Sequence, residues 1–321
     1  MVWAVTGNPE LARAVRRVVR DCLAVGPGED VVVVADPASQ RLGEMMRDEA
    51  QGAGGDAVLA LMAEREIDGQ EPPPTVAGAM AAADVFIAPA SRSISHTKAR
   101  RDATAAGARG ATLPGVTEDM LARLMSGDFD VMRARSRAVA ELLDDADEAH
   151  VACPRGTDLR LDLSGRRGIA DDGDLSAGAA FGNLPCGEGF ISPAGGEGRL
   201  FAKTVAAIGM AEEPIGLTVA GGRLDDAEGE LGATLLSTLD QHGAQGRNVA
   251  ELGVGTNEQA HLSGNVLEDE KILGTVHVAF GASASIGGTV QVGVHLDVVI
   301  LDATLDIGGT RVLDAGRWAL A

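Results

Sequence analysis

Two hydrophobic rhythms divide this chain, and each dictates a different architecture. Through about residue 145, short β-branched runs alternate with segments whose apolar residues recur at helical spacing. Asn8 to Val25 has that spacing, with Asn8 placed as N-cap ahead of Pro9. Val31 to Ala35 (VVVVA) is the run expected of a strand buried on both faces of a parallel sheet. A helix is expected from Ser39 to Gln51 and a strand from Asp56 to Met62. A loop follows from Gly69 to Pro74, because EPPP cannot continue a helix. Another helix and the strand Asp84 to Ala88 (DVFIA) come next. This β-α-β-α order predicts a doubly wound α/β domain with a mostly parallel sheet. Thr117 to Glu148 is charged and helix-prone, and reads as one helix or two bridging to a second domain.

After Val151 the period changes from helical to alternating. Asp158 to Leu163 (DLRLDL) and the VVILDATLDI stretch ending at Ile307 read as strands between Gly-rich turns. One helix is expected near Leu231 to His242. The expected organisation is therefore an α/β domain over residues 1–148 and a mainly β (α+β) domain over 149–321. The acidic run Asp144 to Glu148 reads as a solvated face.

Composition narrows the function. Hydrophobic residues make up 45% of the chain, yet aromatics are only 2% and tyrosine is absent, so the core must be aliphatic. A formal net charge of −20 repels phosphate backbones and argues against nucleic acid as a partner. The three cysteines, Cys22, Cys153 and Cys186, form no C-x-x-C pair, which excludes a zinc finger or a disulfide framework. The sequence shows neither a basic-plus-apolar leader nor an apolar run of ~18 residues, so a cytoplasmic protein without a membrane partner is expected. Gly26-Pro27-Gly28 lacks the spacing that cradles phosphates, so no nucleotide is assigned. Cys186 has no histidine near it in sequence and reads as a small packing residue.

The chemistry concentrates between Glu251 and Asp297. Glu251 lies in AELGVGTN, Glu270 in LEDEK, His277 in GTVHVAFG, and His295 with Asp297 in HLDVVI. Residues two apart on a strand share a face, so His295 and Asp297 can present an imidazole and a carboxylate to one ion. Buried ionised carboxylates are costly unless paired or bound to metal. Mixed imidazole and carboxylate ligands suit Zn²⁺, Mn²⁺, Fe²⁺ or Co²⁺. Singly, each residue has a plainer reading: H-x-D as a hydrogen-bonded core pair, Glu251 as a strand end, Glu188 in CGEGF as a loop carboxylate. Their conjunction inside apolar strands is what points to a shared counter-charge.

Four of these segments resemble motifs of the aminopeptidase T family of metallopeptidases. NLPCGEGFISP, AELGVGTN, LEDEKILGTVHVAFG and HLDVVI occur in that family's order, and Ser91 to Met120 is similar to its N-terminal signature. The resemblance implies a homodimeric hydrolase of a short peptide or small amide, with two divalent ions (Zn, Co, Mn or Fe) bound by Glu188, Glu251, Glu270, His277, His295 and Asp297. It gives Glu188 and Glu251 catalytic as well as ligand roles, and it places His96 near substrate. The chain departs from the pattern in having no tyrosine, in the seven-residue step from Glu270 to His277, and in Lys271 where Asn is usual. Lys271 reads either as a carbonyl-polarising group or as a charge partner for Asp269 or Glu268. The same superfamily includes the 2,5-dihydroxypyridine dioxygenases, whose single Fe²⁺ His277, His295 and Asp297 could hold. Glu251, where those enzymes carry histidine, tilts the sequence reading to two hydrolytic metals. A metal-binding homologue without catalysis is the third reading.

Overall fold

The computed structural model describes residues 8–320. The chain forms two compact units, one of residues 1–129 with 173–186, the other of 130–172 with 187–321.

The first unit alternates α1 (Pro9–Arg16), β1 (Asp30–Ala35), α2 (Gln40–Gly52), β2 (Asp56–Leu61), α3 (Pro74–Ala82), β3 (Val85–Ala88), α4 (Lys98–Ala105), β4 (Arg109–Thr112) and α5 (Glu118–Leu124). Asn8 caps α1 as expected, its side chain accepting from the N–H groups of Glu10 and Leu11. The expected single helix to Val25 instead passes into a π-helical segment, Arg17–Cys22. Val31 to Val34 are almost wholly buried in β1, which pairs in parallel with β2 and β3. The parallel sheet runs β2-β1-β3-β4 and is completed by Phe181–Asn183, a strand from much later in the chain. One helix group joins α1, α2 and α5, and another joins α3 and α4, giving the doubly wound layer that the β-α alternation predicts. The bridge Thr117 to Glu148 is two helices, α5 and α6 (Phe129–Asp145).

The second unit is one antiparallel sheet of thirteen strands. Those that bear on function are β7 (Ile169–Asp171), β9 (Glu188–Ile191), β13 (Val249–Gly255), β14 (Val276–Gly281) and β15 (His295–Ile300), counting Glu148–Ala152 as β5, Asp158–Asp162 as β6, Phe181–Asn183 as β8, Gly195–Val205 as β10, Gly209–Ala220 as β11 and Arg223–Ala227 as β12. They lie side by side in the order β15-β14-β13-β9-β7. The expected helix near Leu231 is Gly229–Asp240. One sheet face packs the aliphatic core, with Leu252, Val254, Val278, Phe280, Val298 and Ile300 all buried. No helix among the described residues is long and apolar enough to cross a membrane.

Arg109 stabilises the first unit from within. Its guanidinium donates to both Glu29 carboxylate oxygens at 2.8 and 2.7 Å and to the carbonyls of Leu23 and Ala24. The Arg109 hydrogen bonds hold the Glu29 carboxyl below its ordinary value against the effect of burial. A lowered carboxyl stabilises the fold above its unfolded value and loses that contribution as pH falls through the folded one. Arg109→Met should therefore cost about 1–2 kcal/mol at neutral pH, since Glu29 is partly solvated. Urea unfolding curves should show the gap between variant and parent narrowing as the pH is lowered below about 4.

Candidate metal centre

The site is written into the sheet two residues at a time. On β13, Glu251, Gly253 and Gly255 share a face, and their neighbours Leu252 and Val254 turn to the core. On β14 the same face carries His277, Ala279 and Gly281; on β15 it carries His295 and Asp297. Across the strands every chemical side chain stands opposite a small residue: Glu188 opposite Gly255, His277 opposite Gly253, Glu251 and Asp297 opposite Ala279, His295 opposite Gly281. The clearance is necessary, because a Cβ on Gly253 would lie 2.0 Å from His277 Nε2. Glu270 arrives from the short α-helical turn Val266–Asp269, capped by the Asn265 side chain.

The six residues form one continuous chain of contacts. Lys271 Nζ donates to Glu188 Oε1 at 2.6 Å and to Glu270 Oε1 at 2.7 Å. Glu188 Oε2 is 3.2 Å from His277 Nε2, which also lies 3.3 Å from Glu251 Oε1. The other Glu251 oxygen is 3.3 Å from His295 Nε2, and Asp297 Oδ1 is 3.6 Å from that same nitrogen. His295 Nδ1 sits 2.7 Å from the Ala282 carbonyl, so Nδ1 carries a hydrogen and donates it. That fixes Nε2 as the atom facing Glu251 and Asp297, the arrangement by which metal-ligating histidines are usually oriented.

Charge makes the cluster unstable on its own terms. Asp171, Glu188, Glu251, Glu270 and Asp297 surround one lysine and two imidazoles. Burial pushes the Glu188 carboxyl up to about 8 and that of Asp171 to about 7, despite the pull of Lys271. Burial raises Glu270 too. Lys271 is nonetheless held well above its ordinary value by those carboxylates, which outweigh its own desolvation. The carboxyls rise because burial outweighs the one ammonium, and the ammonium rises because the carboxylates outweigh its burial. Burial alone would lower His277, but the Glu251 hydrogen bond and the Glu188 charge raise it to about 9. His295 rises in the same way, through Asp297 and Glu251. Burial works against charge on Glu251, yet the two imidazoles hold its carboxyl far below the carboxylate range.

A divalent cation fits this arrangement. His277 Nδ1, Glu188 Oε2 and Asp171 Oδ2 are buried without a hydrogen-bond partner. Two carboxylates converge on His277 Nε2, which has at most one hydrogen to offer. Two overlapping groups bring ligand atoms within 4.8 Å of one another: Glu188, Glu270 and His277, and Glu251, His277 and Asp297.

The family described as NicX, 2,5-dihydroxypyridine 5,6-dioxygenase, matches residues 10–319. The chain belongs to that family. Its fold is similar to that of the 2,5-dihydroxypyridine dioxygenase from Pseudomonas putida KT2440, with a TM-score of 0.84, 16% identity, and coverage of 98% of this chain and 99% of that one. It is also similar to AmpT from Thermus thermophilus, with a TM-score of 0.71, 19% identity, and coverage of 97% and 99%. No curated protein matches the sequence directly. The dioxygenase, set second by the sequence reading, is thus the description carried by both the family and the higher-scoring structural likeness.

Within this NicX-family chain, three features of the cluster escape sequence reasoning. Lys271 pairs with neither Asp269 nor Glu268. Asp269 accepts from the backbone of Ser263 and Gly264, and Glu268 from that of His261, which leaves Lys271 to the adjacent Glu270 and the distant Glu188. Asp171, at the end of β7, joins the lysine at 3.6 Å. Gly253 was legible only as part of an E-x-G-x-G alternation. His96 is exposed and lies in the first unit, and Cys186 is a buried packing residue there.

Two outcomes follow. Gly253→Ala should push the His277 ring aside and weaken divalent-ion binding by about 10- to 100-fold, read by Mn²⁺ titration with the far-UV spectrum unchanged. An ion must also displace the proton that His277 holds up to about 9. Affinity for Mn²⁺ should therefore climb with pH until about that value, with proton release measurable in weakly buffered solution.

Proposed function

We propose that this chain is a ring-cleaving dioxygenase that uses one iron(II), held by His277, His295 and Asp297, to open a hydroxylated pyridine or a similarly electron-rich ring. The observation that carries the reading is the convergence of two imidazole Nε2 atoms with the Glu251 and Asp297 carboxylates, with His295 already oriented by Ala282. Two histidines and one carboxylate with open positions are the usual set for non-haem iron(II) oxygenases. Iron(II) held by these residues would supply the redox chemistry that activates dioxygen towards an electron-rich ring.

The chain's own groups supply the rest. Glu251 bridges the two imidazoles, presenting one carboxylate oxygen to the Nε2 of His277 and the other to that of His295. His277 is fully buried and the carboxylates nearly so, which excludes bulk water from a reactive centre.

The aminopeptidase-type hydrolase is the second reading, favoured by the convergence of all six ligand-type residues. Its second ion would have to share Glu188 and Glu270 with Lys271.

Oxygen-electrode assays on anaerobically purified, Fe²⁺-loaded protein separate the two. Oxygen uptake with loss of the ring absorbance of 2,5-dihydroxypyridine is expected, falling by about a hundredfold or more in His295→Ala and Asp297→Ala. Cleavage of peptides or amides without oxygen, and no oxygen uptake with ring substrates, would make the chain a hydrolase.

A further inference from the structure

Lys271 stands where a second metal ion would need to be. Its side chain is 1% exposed, and its Nζ is approached by carboxylates from three separate segments: Glu188 Oε1 at 2.6 Å, Glu270 Oε1 at 2.7 Å and Asp171 Oδ2 at 3.6 Å. An ammonium has three donors and no acceptor; two of them go to Glu188 and Glu270, and Asp171 adds a third negative charge just outside hydrogen-bond range. The two short distances are those of charge-assisted hydrogen bonds.

Of the two groups of side chains able to hold an ion, one contains Glu188 and Glu270, and both direct an oxygen at the lysine. A transition-metal ion drawing on those same oxygens would compete with the ammonium for them and stand against its positive charge. The group of Glu251, His277 and Asp297 has no lysine contact. We infer that the Lys271 ammonium is a built-in cation occupying one of two cation positions, so that the centre takes a single exchangeable metal ion beside Glu251, His277, His295 and Asp297.

The inference rests on the proposal that these side chains bind metal, but not on which reaction follows. It also makes Glu188 and Glu270 holders of the lysine, not ligands of the exchangeable ion. The lysine thus converts a six-residue set that resembles a two-ion centre into a one-ion centre with a fixed positive charge at its edge.

The test is metal stoichiometry, by elemental analysis and Mn²⁺ calorimetry on the full chain. The parent should bind one ion. Lys271→Ala should bind two, the second disappearing when Glu188→Gln is added. In the parent background, Glu188→Gln and Glu270→Gln should each keep the one ion within about threefold of its affinity, and these variants decide the matter if Lys271→Ala does not fold. Two ions in the parent overturn the inference alone and leave the dioxygenase to be judged by oxygen uptake. So does a folded Lys271→Ala that still binds one, or a loss of about tenfold or more in either glutamine variant, as expected on removing a group that holds a metal. No ion in the parent sinks the ligand assignment itself.

Discussion

Buried negative charge is the constraint around which the second unit is organised. Five carboxylates face a space in which each unpaired ion costs several kcal/mol, and the chain supplies one permanent cation, Lys271. Burial pushes the Glu188 and Asp171 carboxyls up, and the neighbouring carboxylates push the His277 and His295 imidazoles up, so protons favour the cluster as well. Such a cluster is poor as a stability element. A fold that only needed a core would place leucine or valine there, as the opposite sheet face does.

The sheet can tolerate this because its period is two. One face is aliphatic and carries the folding energy; the other collects polar groups without disturbing it. Small residues opposite every large one complete the arrangement. At Gly253 a side chain would take the volume of the His277 ring, and at Gly255 and Gly281 it would run into the backbone of Ile272 and Val294.

Much of this could be read from the sequence for a plain reason: charged residues inside apolar alternating strands are expensive, so HVAFG and HLDVVI mark a site without any structure. The same holds for the N-terminal layer, where VVVVA and DVFIA fix parallel strands. What sequence could not supply was long-range. Lys271 looked like a local charge partner because Glu268 and Asp269 precede it, yet both are consumed by backbone N–H groups of the loop before them. Its true partners include Glu188, a residue 83 positions away. The return of Phe181–Asn183 to the parallel sheet was equally hidden, because a three-residue strand has no period to detect. The choice between hydrolase and dioxygenase failed to separate for the same reason. Both draw on the same ligand types, and what distinguishes them is which cation sits where.

His295 and Lys271 differ in solvent access, the first with 17% of its side chain exposed, the second with 1%. The two cations of the site would therefore live on different clocks. Lys271 is committed once, when the sheet closes over it, and is inherited with the gene. The ion beside His295 can come and go throughout the protein's lifetime. The supply of metals around the protein would then decide which element the centre carries, while the genome alone decides how many.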